Sequence, residues 1–283
     1  MQHQDQFQRF QSFSLDDFEK ELLISSFHSL EDANNKLRFN NFSYAIRELS
    51  RHLLHRLAPD EEVIKCQWFK NETNEANKIS RGERIKYAIQ GGIPDNYADE
   101  FLDIATKKTN LVETIKNLNK YTHIEEHTFN ISDDKLEELL NEVTDNFEAF
   151  SSEIAFCRHN VMEVLETKLY DIILEYSTFE YLDALAELST HFSVDETHVN
   201  DVRITSINSE YVEITIEGTL EIVQQWGSNA DVRNDDGLTG ESSFPFKSTL
   251  NLPITEDFPH EEIELINFEI DTDEWHQYDY PNS

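Results

Sequence analysis

The sequence predicts an α+β protein, in which an N-terminal α-helical bundle is followed by a smaller antiparallel β-rich domain. Up to about residue 190, apolar residues recur three or four positions apart, which is typical of amphipathic helices. Beyond Phe192 they alternate with polar residues, as on a strand with one buried face. A length of 283 residues also favours two domains, because one domain usually takes roughly 100–200.

The change of period places the domain boundary near residue 190. We predict a helical domain over residues 14–190 and a β-rich domain over residues 191–270. The glutamine-rich residues 1–13 are predicted to be a disordered tail, and residues 271–283 an acidic tail.

The first helices can be placed from their caps and their apolar faces. A helix over residues 15–37 is predicted to begin after Ser14, because acidic residues occupy its first turn. The next helix is the clearest, and Pro59 ends it. Its apolar residues form a stripe about 80° wide: Phe42, Ile46, Leu49, Leu53 and Leu57.

The remaining elements follow from the same two periods. Residues 58–98 are mixed, with a short basic helix in RGERIKYAI and a break at Gly91 and Gly92. Further helices are predicted over residues 97–105, 110–123, 133–150 and 153–188. Strand faces are predicted at residues 202–204, 212–216, 220–222, 244–246 and 266–270.

The charge is strongly acidic but uneven. The formal net charge is −34, from 57 acidic and 23 basic residues. Residues 36–90 are the exception, with eleven Lys or Arg against seven acids. This segment could attract a phosphate backbone although the whole molecule repels nucleic acid. The simpler interpretation is that an acidic surface aids solubility.

The same sequence indicates a cytoplasmic protein. It has no run of about 18 apolar residues and no signal-peptide pattern, so we expect no membrane association. Cys66 and Cys157 are too few for a disulfide framework or a thiolate zinc site. We expect no cofactor and no metal.

One helix face carries residues suited to phosphate chemistry. Arg47, Arg51 and His55 recur every four residues, opposite the apolar stripe. They could form a solvated face, with Glu48 balancing the charge. They could also form a cationic strip that grips a phosphate beside a histidine that exchanges a proton.

A family resemblance favours the second interpretation. The string RELSRH, from Arg47 to His52, has the R-x4-H spacing of the HEPN superfamily of helical nucleotide-binding domains, many of them ribonucleases of prokaryotic defence. LNKYTH, residues 118–123, is similar to the LRNxxxH-like string common near the last helix of these bundles. Asn119 and His123 match that string, but Leu118 stands at the arginine position.

The resemblance implies a set of catalytic residues and a homodimer. Because Leu118 stands at the arginine position of the second string, an arginine from the first string would have to supply the missing positive charge. The implied catalytic residues are Arg47, Arg51, His52, Asn119 and His123.

The C-terminal part has its own resemblance. QWGSNADVRNDDG, residues 225–237, and SFPF, residues 243–246, are similar to the β-rich region of proteins described as predicted pPIWI-associating nucleases. The likeness spans about residues 30–255. It implies a role in bacterial immunity and a protein partner from the same defence system.

A rival motif overlaps the second string. His123-Ile-Glu-Glu-His127 satisfies H-x-x-E-H, in which two histidines one helical turn apart bind zinc. The two histidines could equally be polar residues at a helix end.

The sequence thus leads to two hypotheses. The first is a metal-independent ribonuclease or RNA-binding effector of a bacterial anti-phage system. The alternative is a non-catalytic acidic interaction protein, either an adaptor or a nucleic-acid mimic, which the net charge favours. A contiguous positive cleft would favour the first.

Overall fold

The computed structural model describes residues 3–73, 75, 78–179, 182–273 and 275. Its helices are α1 (Gln4–Phe10), α2 (Asp17–Glu31), α3 (Arg38–Leu57), α4 (Asp60–Lys65), α5 (Arg81–Gln90), α6 (Asp95–Ala98), α7 (Ile104–Tyr121), α8 (Asp133–Phe179), α9 (Asp183–Ala186) and α10 (Asn229–Arg233). Its strands are β1 (His191–Ile207), β2 (Tyr211–Trp226), β3 (Leu238–Pro253) and β4 (Glu264–Ile270). The predicted α+β class is confirmed.

The chain forms two compact units. One comprises Met1–His159 with Asn208–Glu210, and the other comprises Asn160–Ile207 with Tyr211–Ser283. Helix gives way to strand at His191, where the period changes, whereas the units divide inside α8. The domain boundary near residue 190 therefore stays a prediction.

The helical unit is held together by a cluster of phenylalanines. The ring centroids of Phe27 and Phe42 lie 5.5 Å apart, and those of Phe10 and Phe147 lie 5.0 Å apart. Phe10 belongs to α1, within residues predicted to be a disordered tail. The glutamine-rich composition conceals the apolar anchors Phe10 and Phe13, which are both buried, and the disorder of residues 1–13 stays a prediction.

Helix α3 presents the predicted apolar stripe to this core. Phe42, Ile46, Leu49 and Leu53 are buried as predicted, and the helix begins at Arg38, four residues before the first residue of the predicted stripe. Its opposite face is thereby directed away from the core.

The later helices differ from the prediction in their ends. Helix α7 begins after Asp103, whose side chain accepts a hydrogen bond from the Thr106 N–H, and ends before His123. The predicted helix over residues 97–105 is reduced to α6. The two helices predicted between residues 133 and 188 are largely one, α8. Only Ser151 and Ser152 separate the predicted helices, and no Gly or Pro is present there to end the helix.

The second unit contains an antiparallel sheet of strand order β1-β2-β3-β4. Strand β2 joins two predicted strands into one, and Ile214, Ile216, Leu220 and Ile222 are buried along it. Gly218 permits the continuation, because a Cβ there would approach the carbonyl oxygen of His198 to 2.2 Å. The predicted acidic tail lies mostly outside the described residues.

No helix in the described ranges is both long and apolar enough to cross a bilayer.

The two faces of α3 predict a contrast in stability. We expect Phe42→Ala to lower the free energy of unfolding by about 3–5 kcal/mol, because it leaves a cavity in the phenylalanine cluster. Tyr44, two residues away, is 58% exposed, and we expect Tyr44→Ala to cost less than about 1 kcal/mol. Urea unfolding of both variants measures the difference. Equal losses would contradict this assignment of the buried face.

Candidate active site

A cavity of about 520 Å³ opens on the helical unit. It lies where the C-terminal half of α3 meets Asp60 of α4 and the start of α5. Its charged lining is mostly basic, and Asp60 is the one acid among the described lining residues. The lining residues are Arg51, Leu54, His55, Asp60, Lys78, Ile79, Arg81 and Arg84.

Local sequence signals place the three helices around this cavity. Pro59 occupies the N-cap position of α4 directly after α3 ends. Helix α5 begins at a capping box, in which Ser80 accepts from the Glu83 N–H and Glu83 accepts from the Ser80 N–H. Arg84 joins these elements, donating to the Ala58 carbonyl and to Asp60, each at 2.5 Å. Arg84 therefore has a mainly structural role in the lining of the cavity.

Arg51 is held at the cavity by two neighbours. Its Nε donates to Glu48 Oε2 at 3.0 Å, and its Nη2 lies 3.0 Å from His52 Nε2. A guanidinium can only donate, so His52 Nε2 is the acceptor and neutral His52 carries its proton on Nδ1. The Arg51 side chain is 53% exposed, and its Nη1 makes no hydrogen bond within the described part of the chain. Arg51 thus keeps donors available for an anion.

His55 is oriented by the backbone of the same helix. Its Nδ1 lies 2.8 Å from the carbonyl oxygen of Arg51. A carbonyl oxygen only accepts, so Nδ1 carries the proton and, in the neutral ring, Nε2 keeps its lone pair. Nε2 has no partner among the described residues. His55 therefore offers the cavity a free basic nitrogen beside a cation.

Arg81 is the least neutralised cation of the lining. Among the residues described, it has no hydrogen-bond or ion-pair partner, whereas Lys78 pairs with Glu75 at 2.6 Å. Surrounding protein atoms lower the pKa of Arg81, and the positive charge of Arg47 lowers it further. The residue is nevertheless exposed to solvent, so its guanidinium stays charged near neutral pH. Concentrated like charge of this kind attracts an anion.

The two strings that resemble HEPN motifs meet through Arg47. Its Nη1 donates to Asn119 Oδ1 of α7 at 2.8 Å, and its Nη2 donates to Glu48 Oε1 at 2.7 Å. Arg47 lies outside the cavity lining, although its charge acts on Arg81. The structure thus brings Arg47, Arg51, His52 and Asn119 into one connected set.

His123 is placed differently. It follows the end of α7 in an exposed turn, where its carbonyl oxygen accepts from Thr128 Oγ1 at 2.8 Å. Its ring makes no hydrogen bond with Arg47 or Arg51 in the described ranges. The expectation that Asn119 and His123 share a helix was wrong, because the chain leaves the helix at Thr122. A catalytic role for His123 stays a prediction.

The zinc pattern meets the same obstacle. His123 and His127 lie in non-helical chain, so they are not presented one helical turn apart, and His127 instead lies 3.4 Å from Glu125. Within the described residues, no group of three or more His, Cys, Asp or Glu is arranged to hold a metal ion.

Sequence reasoning placed Arg51 and His55 on one face but did not select Lys78, Arg81 or Arg84. Two signals pointed to them: the basic surplus of residues 36–90, and the Ser80-x-x-Glu83 capping box that marks the start of α5. Only packing places this helix start opposite α3.

The fold and the cavity together define an α+β protein whose helical unit carries a cavity lined mainly by basic side chains. Two family models match the chain, one over residues 11–150 and one over residues 154–276, and both are described as predicted pPIWI-associating nuclease. The chain therefore belongs to the family of predicted pPIWI-associating nucleases. No curated protein and no solved structure matches it.

Glu48 accepts hydrogen bonds from both Arg47 and Arg51, and we call this arrangement the Glu48 clamp. It predicts a pH-dependent contribution to stability. The hydrogen bond from Arg47 lowers the pKa of Glu48, burial opposes this, and the hydrogen bond from Arg51 lowers it further. A lowered native pKa means that the ionised carboxylate stabilises the fold above about pH 4.3, and that this contribution is lost as the pH falls through the native pKa.

We therefore expect Glu48→Gln to lower the free energy of unfolding by about 1 kcal/mol at pH 7. This difference in unfolding free energy between the variant and the parent chain should become smaller below about pH 4.3. Urea unfolding across this pH range measures both values. Glu113→Gln is the matched control, because Glu113 forms an exposed pair with Lys116. A gap independent of pH would contradict the clamp.

Proposed function

We propose that the protein is a nuclease that cleaves RNA in the cavity between α3 and α5. The observation that carries this proposal is the Nε2 of His55, which has no partner among the described residues and lies in the same cavity lining as Arg51 and Arg81, in a chain whose net charge is −34. A strongly acidic protein needs a local cationic surface to approach a phosphodiester. Membership of a predicted nuclease family supports the same chemistry.

The cavity groups suit cleavage by the ribose 2′-hydroxyl. His55 Nε2 accepts the 2′-hydroxyl proton, the 2′-oxygen bonds to phosphorus, and the bond from phosphorus to the 5′-oxygen breaks. The leaving oxygen takes a proton from water, and the resulting hydroxide takes the proton from His55, which restores the neutral ring. Arg51 and Arg81 stabilise the additional negative charge on the phosphoryl oxygens. The products are a 2′,3′-cyclic phosphate and a 5′-hydroxyl end.

The other members of the connected set position these groups. His52 and Glu48 direct Arg51, and Asn119 holds Arg47 where its charge adds to the potential at Arg81. In this proposal Arg47, His52 and Asn119 act through Arg51 and Arg81, whereas His55 exchanges the proton.

The alternative, a non-catalytic acidic adaptor or nucleic-acid mimic, rests on the net charge. A mimic of nucleic acid needs carboxylates on its contact surface and gains nothing from clustered cations. The basic lining of the cavity favours the nuclease over the mimic.

We further propose that the protein acts in a bacterial anti-phage system, where a pPIWI protein is its partner. We also propose that the protein itself forms a homodimer. The family description supports the partner. Light scattering of the purified chain, alone and with a pPIWI protein, tests both associations. A monomer that forms no complex would contradict them and would leave the cavity chemistry unaffected.

The central experiment replaces His55. We expect His55→Gln to lower the rate of RNA cleavage by about 10²–10⁴-fold, because glutamine can keep a hydrogen bond to the Arg51 carbonyl but cannot exchange the proton. The assay follows a labelled RNA with and without EDTA, and scores the 2′,3′-cyclic phosphate end. EDTA should leave the rate unchanged.

Two further histidines make this test selective. His127→Gln is the control, because that ring is exposed outside the cavity. His123→Gln tests the assignment made from the sequence string. Loss of cleavage in His123→Gln with full activity in His55→Gln would overturn our choice of proton carrier. Absence of cleavage by the parent chain would favour the adaptor.

The cationic lining also predicts the salt dependence of binding. Arg81 has no acidic partner in the described part of the chain, so its charge is available to a phosphate. We expect Arg81→Gln to reduce the slope of log affinity against log salt by about 0.7 for single-stranded RNA. Lys135→Gln, at an exposed pair with Glu138, is the control and should leave the slope unchanged. Equal slopes for the parent chain and Arg81→Gln would remove Arg81 from the site.

A further inference from the structure

An exposed aromatic ring continues the cationic face of α3. Tyr44 is 58% exposed, and the guanidinium carbon of Arg47 lies 5.7 Å from its ring centroid. At 100° per residue, Tyr44, Arg47, Arg51 and His55 fall within a strip about 80° wide on the face opposite the core. The tyrosine ring therefore belongs to the same face as Arg51 and His55, two of the cavity-lining residues of α3.

The distances along this face suit a strand of nucleic acid. Tyr44 precedes Arg51 by seven residues, which is about 10 Å along the helix axis. A short stretch of extended single strand covers that distance. A phosphate at Arg51 and a nucleobase at Tyr44 would then belong to neighbouring nucleotides.

The chemistry of the ring indicates which nucleic acid it accepts. Exposed aromatic side chains beside cations stack on nucleobases, and every base offers a suitable face. In a duplex, however, neighbouring bases cover those faces. With Arg47 beside the ring, a stacked base would complete an arrangement of guanidinium, phenol and base.

We propose that Tyr44 is a stacking site for an unpaired nucleobase, so that the protein binds single-stranded in preference to double-stranded RNA. This inference rests on the proposed nuclease function and adds the substrate class to it. Phe18, the other exposed aromatic near this face, is 56% exposed, but its ring contacts His52 edge-on with centroids 4.9 Å apart. Tyr44 is therefore the site we assign.

The test measures binding independently of cleavage. The probe is a labelled 2′-O-methyl oligouridine, which lacks the hydroxyl needed for cleavage, and fluorescence anisotropy gives its Kd. We expect Tyr44→Ala to raise the Kd about tenfold or more, and Tyr44→Phe to keep the parent value, because the ring supplies the stacking. The melting temperature of Tyr44→Ala should match that of the parent chain, because the side chain is exposed.

Two comparisons assign the effect to stacking. Tyr170→Ala is the matched control, because Tyr170 is 49% exposed on α8, away from α3 along the chain, and its Kd should equal the parent value. A single abasic nucleotide should be placed at each position of the probe in turn. At one position it should raise the Kd for the parent chain, whereas the Kd for Tyr44→Ala should not change at that position. A duplex probe should bind more weakly and respond to neither tyrosine change.

Each outcome decides between the hypotheses. An unchanged Kd for Tyr44→Ala, or an equal abasic penalty in both chains, overturns the stacking site, while cleavage by the parent chain would still support the nuclease. Loss of self-association in Tyr44→Ala with unchanged RNA binding would make the ring a protein contact and also overturn the inference. No binding of any RNA by the parent chain overturns both proposals.

Discussion

The burial of one face of α3 is the constraint on which the site depends. Phe42, Ile46, Leu49 and Leu53 pack into the core, so the rotation of the helix about its own axis is determined. With that rotation determined, Arg51 and His55 must point to the opposite side. The phenylalanine cluster is thus a condition for the cavity as well as a source of stability.

The second constraint is electrostatic. Clustered guanidinium groups repel one another, and the structure balances them unevenly. Glu48 accepts hydrogen bonds from Arg47 and Arg51, whereas Arg81 has no acidic partner within the described residues. This imbalance leaves the cavity lining with more basic than acidic side chains in an otherwise acidic protein.

The hydrogen bonds of the two histidines on α3 separate their roles. His52 receives a hydrogen bond from Arg51 at Nε2, while His55 gives one to the Arg51 carbonyl and its Nε2 has no partner among the described residues. A motif match treats His52 as the significant residue because of its spacing from Arg47. The hydrogen-bond pattern favours His55, three residues further along, because an occupied acceptor cannot take a substrate proton.

The sequence by itself determined the α+β class, the rotation of α3 and the face shared by Arg51 and His55, because those properties follow from periodicity within a single element. Helix α1 and the ends of α7 were not predicted, because they depend on a few local hydrogen bonds and anchoring contacts that composition does not record. The approach of Arg81 to α3 and of Asn119 to Arg47 was decided only by the tertiary structure. These pairs are far apart in sequence and lie on different helices, so only packing sets the distances between them.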